Sequence, residues 1–394
     1  MLNFLFIKSV SIYALLGIVM YYSAMSVPLS LSGRRKMPKG YILCIVLFGV
    51  ISGLRWDVGV DHLGYLQSYR ESLLGRADSR EDFEKGYLLV KNIFAFFHFH
   101  YSLFFAFWAI LQAYFVVQAT RDEKYKVVPY ILLIIPLSWH YITWMNGIRQ
   151  MVVACSFLWA TKFIINKDFK KYLLWIIICS FIHKSVWFLL PVYFFNRIQG
   201  KWNNGIVQVL ILFVCLILGS NPTWISLLNT LADPLTFLGF DRYASTLDFN
   251  TSADALKGFS FGPRMISMVG TYVFVILTHK RVCLYFNSVK YDLFYKLFVI
   301  GAYGHLLFIN TSIFMRPVDY FTIFSLPVSA YALCFYKNTK QLVPFMFLLF
   351  ICAIYVLTAC YTESLVPEKM RNSFLYQFCF THWDIVNHPI VRPR

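Results

Sequence analysis

Four stretches of the sequence set ionisable side chains where long apolar runs end. "GLRWDVGVDHLGY" carries Arg55, Asp57 and Asp61. "MNGIRQMVVA" holds Arg149, "FIHKSVWFLLP" holds His183 and Lys184, and "MRPVDYFTIFSLP" holds Arg316 and Asp319. An Arg or Asp at a bilayer centre costs roughly 2.5–3.5 kcal/mol on insertion scales, so such groups usually face a protein interior and serve a site. Three of the unusual groups, Arg55, Arg149 and Arg316, are arginines. Guanidinium grips phosphate oxygens in pairs and stays charged at any working pH. Several arginines around one cavity therefore suit a diphosphate. A carboxylate at the mouth of that cavity suits a general base, and a histidine suits a proton or hydrogen-bond donor. Any one of these residues, taken singly, reads equally well as a snorkelling end-anchor or a packed ion pair. Arg70, Arg76, Arg80 and Glu81 read as solvated loop surface, and His98 and His100 as interfacial packing. No Asp-x-Asp pair, Gly-rich phosphate loop or His-Glu-x-x-His occurs, so neither a metal nor a cofactor is expected.

Composition says what must hold these groups in place. The 394 residues are 59% hydrophobic, 19% aromatic and only 14% charged, with a mean hydropathy of +0.60. Apolar runs recur along the whole length, which predicts an all-α polytopic membrane protein and not a β-barrel of short alternating segments. Spans are expected near 4–26, 40–54, 101–120, 127–139, 147–165, 172–182, 185–196, 206–220, 265–280, 293–309, 321–336 and 342–361, about twelve transmembrane or re-entrant helices in a single domain over 1–394. The first run lacks a basic leader and a small-residue cleavage site, so it reads as a retained span. Most of the nine cysteines fall inside apolar runs and read as small core residues.

The net charge of +17 is not a nucleic-acid signature. Lys and Arg cluster in short loops, "RRKMPK", "RDEKYK", "KDFKK", "RIQGK", "HKRV" and "KNTK", the mark of a cytoplasmic side. That assignment puts both termini outside, along with 55–100, 221–264 and the tail 362–394. It also puts every one of the four charged stretches at or near an outer helix end. The short pair 172–182 and 185–196 becomes a hairpin with His183 and Lys184 at its outer tip. "FEKGYLLVKNIFAFFHFHY" reads as an amphipathic interfacial helix, and 221–264 is long enough to form a lid.

Taken in order, the motifs resemble EpsG-like, Wzy-type bacterial polysaccharide polymerases. Arg55, Gly59, Asp61 and Tyr65 take the positions of an Arg-x-x-x-Gly-x-Asp-x-x-x-Tyr signature. Glu84 and Gly86 are similar to its Glu-x-Gly element, and Asn146, Arg149 and Gln150 to its Asn-x-x-Arg-Gln element. His183 and Ser185 resemble His-x-Ser, while Arg316, Tyr320 and Phe321 resemble a late Arg-x-x-x-Tyr-Phe element. His62 departs from the pattern, where a second aromatic is expected after Asp61. The tail "WDIVNHPIVRPR" matches nothing in it.

The resemblance implies a membrane-embedded, GT-C-like, metal-independent glycosyltransferase of the bacterial inner membrane, working at the periplasmic face. Its donor and acceptor would be oligosaccharides on undecaprenyl diphosphate, for O-antigen or capsule. A chain-length regulator would be a further partner, besides membrane lipids. Asp61 and His183 are then the expected catalytic groups. Arg55, Arg149 and Arg316 are the expected diphosphate ligands, supported by Asn146, Gln150, Tyr65, Glu84 and Tyr320. Three rivals are weighed against this. A lipid-linked sugar flippase would need the arginines but no base, and commonly shows repeats, which this chain lacks. An acyltransferase would need its histidine toward the cytoplasm. An O-antigen ligase differs only in acceptor.

Overall fold

A computed structural model describes residues 4–32, 36–76, 83–197, 204–224, 226–228, 230, 262–366 and 374–387. Helices account for nearly all regular structure among them, as continuous apolar runs in a bilayer require, since only a helix meets its own backbone hydrogen bonds there. Among the described residues, five helices are long and apolar enough to cross a membrane: Phe4–Met25, Tyr101–Thr120, Ile148–Ile165, Phe314–Asn338 and Leu342–Ser364. The count rises to 7 when two bent helix pairs are each taken as one span. Lys39–Gly53 and Lys184–Phe195 are apolar but shorter. The protein is thus an all-α membrane protein.

Burial ranks these helices. The span window of Phe314–Asn338 is 89% buried, against 28% for Phe4–Met25 and for Leu342–Ser364. The first is the central helix, and the other two turn most of their apolar surface outward, as lipid-facing helices do. Ile148–Ile165 is 72% buried and lies beside the centre.

Two expected boundaries move. The run placed at 127–139 is two helices, Val128–Ile134 and Trp139–Asn146, bent by 75°. Pro136 lies in the break; a proline has no N–H to offer and biases its predecessor away from helix. Residues 140–146, which fell between two expected spans, belong to the second half of that pair. Similarly, Arg316 and Asp319 were expected between spans, yet they lie within the helix Ser312–Thr322.

The anticipated amphipathic segment forms the helix Lys85–Phe96. It buries Tyr87, Lys91 and Ala95 and exposes Leu89, Ile93 and Phe96, an outward face fit for lipid. The segment 221–264 lies mostly outside the described residues. So do Arg80 and Glu81. All nine cysteines are free.

The tail, silent in sequence, is a strap. Gln377–Phe378 pairs antiparallel with Arg55–Trp56. Glu363 accepts hydrogen bonds from the backbone N–H groups of Phe374, at 2.6 Å, and Leu375, at 3.2 Å. Further along, His382 stacks on Trp56 at 3.9 Å. His100 stacks on Trp383 at 3.7 Å and bonds its carbonyl at 2.8 Å. The strap closes over the loop that carries Arg55 and Asp61.

Candidate functional site

The loop after Lys39–Gly53 is shaped by two residues in left-handed backbone, Asp57 at φ 48° and Gly59 at φ 94°. A Cβ at Gly59 would meet the Met145 carbonyl oxygen at 2.8 Å and the Asn146 nitrogen at 3.0 Å, so only glycine lets the loop lie flat there. The Asp61 N–H then donates to Asn146 Oδ1 at 2.9 Å. Asp61 is half-buried, and no hydrogen bond to its carboxylate is found among the described residues.

Arg55 serves this loop. It is 1% exposed. Its guanidinium donates to the Ser52 carbonyl, to Val58 O at 3.2 Å and to Met145 O at 3.4 Å, and lies 4.7 Å from the Phe105 ring centre. Burial pulls its pKa down to about 10, which leaves it cationic at neutral pH. Three of its five N–H donors are thus committed to backbone carbonyls. His62, the departure from the motif, stacks on Phe105 at 4.7 Å and so does an aromatic ring's work.

A second cluster is built on Glu84. Gly86 N–H donates to the Phe181 carbonyl at 2.8 Å. A Cβ at Gly86 would sit 2.6 Å from that same oxygen, so the Glu-x-Gly spacing is a demand for close approach. Glu84 occupies the N-cap of Lys85–Phe96 but makes no cap bond to its own helix. Its carboxylate turns across the gap instead. Oε1 accepts from His183 Nδ1 at 3.0 Å and from the Lys184 N–H at 3.1 Å. Oε2 forms an ion pair with Arg149. Glu84 therefore caps the neighbouring segment Lys184–Arg197, meeting a backbone donor that a helix start leaves unpaired. Burial by itself would raise the Glu84 pKa. The His183 hydrogen bond, the charges of Arg149 and His183 and the Lys184 N–H outweigh it and hold the group down at about 2. His183 moves down, driven first by burial, with Glu84 opposing and the charges of Arg149 and Arg316 assisting.

Arg149 stands in the first turn of Ile148–Ile165, just after the break at Gly147. Its guanidinium carbon is 4.3 Å from the Phe83 ring centre, 5.5 Å from Tyr87 and 6.0 Å from Tyr65. These aromatic faces stabilise a desolvated cation. The next residue, Gln150, donates to the Arg316 carbonyl at 2.6 Å and to Asp319 Oδ2 at 3.3 Å. Ser185 Oγ and Tyr320 OH are 2.8 Å apart. Arg316 itself is exposed.

The five motifs thus meet in two linked groups. Glu84, Arg149, Gln150, His183, Ser185, Arg316 and Tyr320 form one, with Tyr65 beneath Arg149. Arg55, Asp61 and Asn146 form the other, joined to it through the turn at Gly147. Reading the sequence alone cast Glu84 in a supporting role, yet it is the hub. Phe83 and the main-chain role of Lys184 were missed, and Asp319 was noted only as an ionisable group between two spans. The Gly two residues after Glu84 was the available signal. Beside the hub opens an apolar groove of about 450 Å³, lined by residues including Gly86, Leu89, Trp108, Leu111, Ile178 and Phe181. Among the described residues no group of three His, Cys, Asp or Glu is placed to hold a metal ion.

A buried carboxylate that fixes an imidazole with one edge and a guanidinium with the other can orient an acid–base group next to an anion site. No curated protein and no solved structure matches this sequence. The EpsG family profile matches residues 40–378, which takes in every motif described above and the strand Gln377–Phe378, and the chain belongs to the EpsG family.

Proposed function

We propose that this protein is a membrane glycosyltransferase that polymerises lipid-diphosphate-linked oligosaccharide repeat units. The growing glycan, on undecaprenyl diphosphate, moves onto the non-reducing-end sugar of a new unit on a second such lipid. One observation carries the reading: Glu84, Arg149 and His183 form a single buried cluster at the start of Ile148–Ile165, with Arg316 close enough to act on the same imidazole. Glycosyl transfer from a diphosphate needs a base for the incoming hydroxyl and cations for the departing charge, and both kinds of group are present there. The adjoining groove is nearly all apolar and suits a prenyl chain.

Orientation follows from charge. Lys162 lies in the last turn of Ile148–Ile165, the helix whose first turn holds Arg149. Lys290 pairs with Asp122 at 2.6 Å and Glu123 at 3.0 Å beyond the far end of Tyr101–Thr120. Basic loops at that end favour it as cytoplasmic, so the cluster faces the periplasm of a bacterial inner membrane. The surface glycan of a deletion strain tests the function. Single repeat units on the lipid A core support polymerisation. A complete absence of repeat units there fits a ligase or flippase, and an intact ladder together with an unchanged capsule and exopolysaccharide contradicts a role in glycan assembly.

A further inference from the structure

We infer that His183 Nε2 is the atom that takes the proton from the acceptor hydroxyl, and that Glu84 is the positioning residue that makes it do so. The inference rests on the glycosyl-transfer reading above and departs from the assignment of Asp61 as base.

Tautomer comes first. His183 Nδ1 lies 3.0 Å from Glu84 Oε1. An ionised carboxylate can only accept, and Glu84 is kept ionised by Arg149 and by the Lys184 N–H. The ring proton is therefore on Nδ1, and Nε2 carries the lone pair. Nε2 is buried and has no hydrogen-bond partner. A buried polar atom left without a partner is costly and calls for an explanation; an acceptor hydroxyl donating to Nε2 supplies one.

Burial, helped by two arginines, favours the neutral ring against the pull of Glu84. The groups that bear on it are Glu84 ahead of Lys85–Phe96, Arg149 on Ile148–Ile165 and Arg316 on Ser312–Thr322. Asp319 and Tyr320 on that last helix bond to Gln150 and to Ser185. Burial and the two arginines lower the ring's proton affinity, and Glu84 restores part of it. The same carboxylate thus keeps the ring basic enough to accept a proton and stabilises the imidazolium once formed. Asp61 has no such orienting partner: nothing among the described residues bonds its carboxylate, and a base must be held within hydrogen-bond reach of its proton.

In the step itself the acceptor oxygen bonds to the anomeric carbon as its proton passes to Nε2. The bond from that carbon to the diphosphate oxygen breaks, and its electron pair leaves with the lipid diphosphate. Arg149 and Arg316 face the developing charge. The proton then returns to solvent or to the released diphosphate, so no further reactant is required.

The pH dependence of kcat/KM for purified protein acting on lipid-diphosphate-linked repeat units tests the assignment. Wild type should lose activity through a single acid limb with a midpoint below the usual imidazole value of about 6.5. Glu84→Gln should move that limb to lower pH by roughly one to three units, the effect of one adjacent charge. His183→Gln should abolish it and lower kcat by about 10²–10⁴-fold, while Asp61→Asn should keep it. The assignment is overturned if Glu84→Gln leaves the limb in place, or if Asp61→Asn removes it. These two profiles decide the matter even if His183→Gln does not fold. A wild type that forms no glycosidic bond overturns the functional reading as well; a misplaced limb in an active enzyme overturns only the base.

Discussion

Gly86→Ala asks whether close packing of Lys85–Phe96 on residues 181–184 is what builds the Glu84 hub. The new Cβ would stand 2.6 Å from the Phe181 carbonyl oxygen, 2.9 Å from its Cβ and 3.0 Å from its carbonyl carbon. Backbone cannot swing aside as a flexible side-chain tip can. Relief to ordinary contact at 3.4 Å takes a displacement of about 0.8 Å. Moving the helix start by that much stretches the 3.0 Å Glu84–His183 contact and the 3.1 Å Glu84–Lys184 contact past hydrogen-bonding length. Overpacking of this kind costs about 1–3 kcal/mol. A base that loses its positioning group forfeits up to the 10²–10⁴-fold that acid–base catalysis contributes. Gly270→Ala is the control. Its Cβ would meet only Ile351 side-chain atoms, at 3.6 Å, and replacing a mid-helix glycine with alanine stabilises by roughly 0.5–1 kcal/mol. Thermal unfolding of both purified variants, with turnover measured per folded molecule, reads the two effects separately. Wild-type stability and turnover in Gly86→Ala would refute the close-approach argument.

Two further outcomes are expected. Arg149→Lys keeps the charge opposite Glu84 but loses the planar fork, so turnover per folded molecule should drop by about 10²–10³-fold with near-normal insertion; unchanged turnover would remove Arg149 from the anion site. Reporter fusions after residues 124, 169 and 339 should read cytoplasmic and a fusion after 75 periplasmic, and a periplasmic reading at 169 would take His183 off the outer face.

The helices were legible because continuous apolar runs admit little else in lipid. Candidate members of the site were legible too, since most of the motifs sit at a helix end where a charge needs a reason. Their pairings were not. Glu84 finds Arg149 and His183 across 65 and 99 residues, a separation that no local pattern encodes, and so its role as hub stayed hidden. Arg55 read as a phosphate ligand because side-chain type cannot reveal that Ser52, Val58 and Met145 carbonyls surround it. The strap escaped notice for a related reason: strand pairing and the Glu363 contacts engage its main chain, which any sequence provides. The bend near Pro136 was within reach. An apolar run that ends in "IIPLSW" should have been divided at its proline.

Purified protein in lipid vesicles, given a synthetic undecaprenyl-diphosphate-linked repeat unit, tests the central claim most directly. The expected result is a ladder of glycans two or more repeats long, with one lipid diphosphate released for each new linkage. Units that cross the bilayer without any new glycosidic bond, or that pass only to a different acceptor, would contradict it.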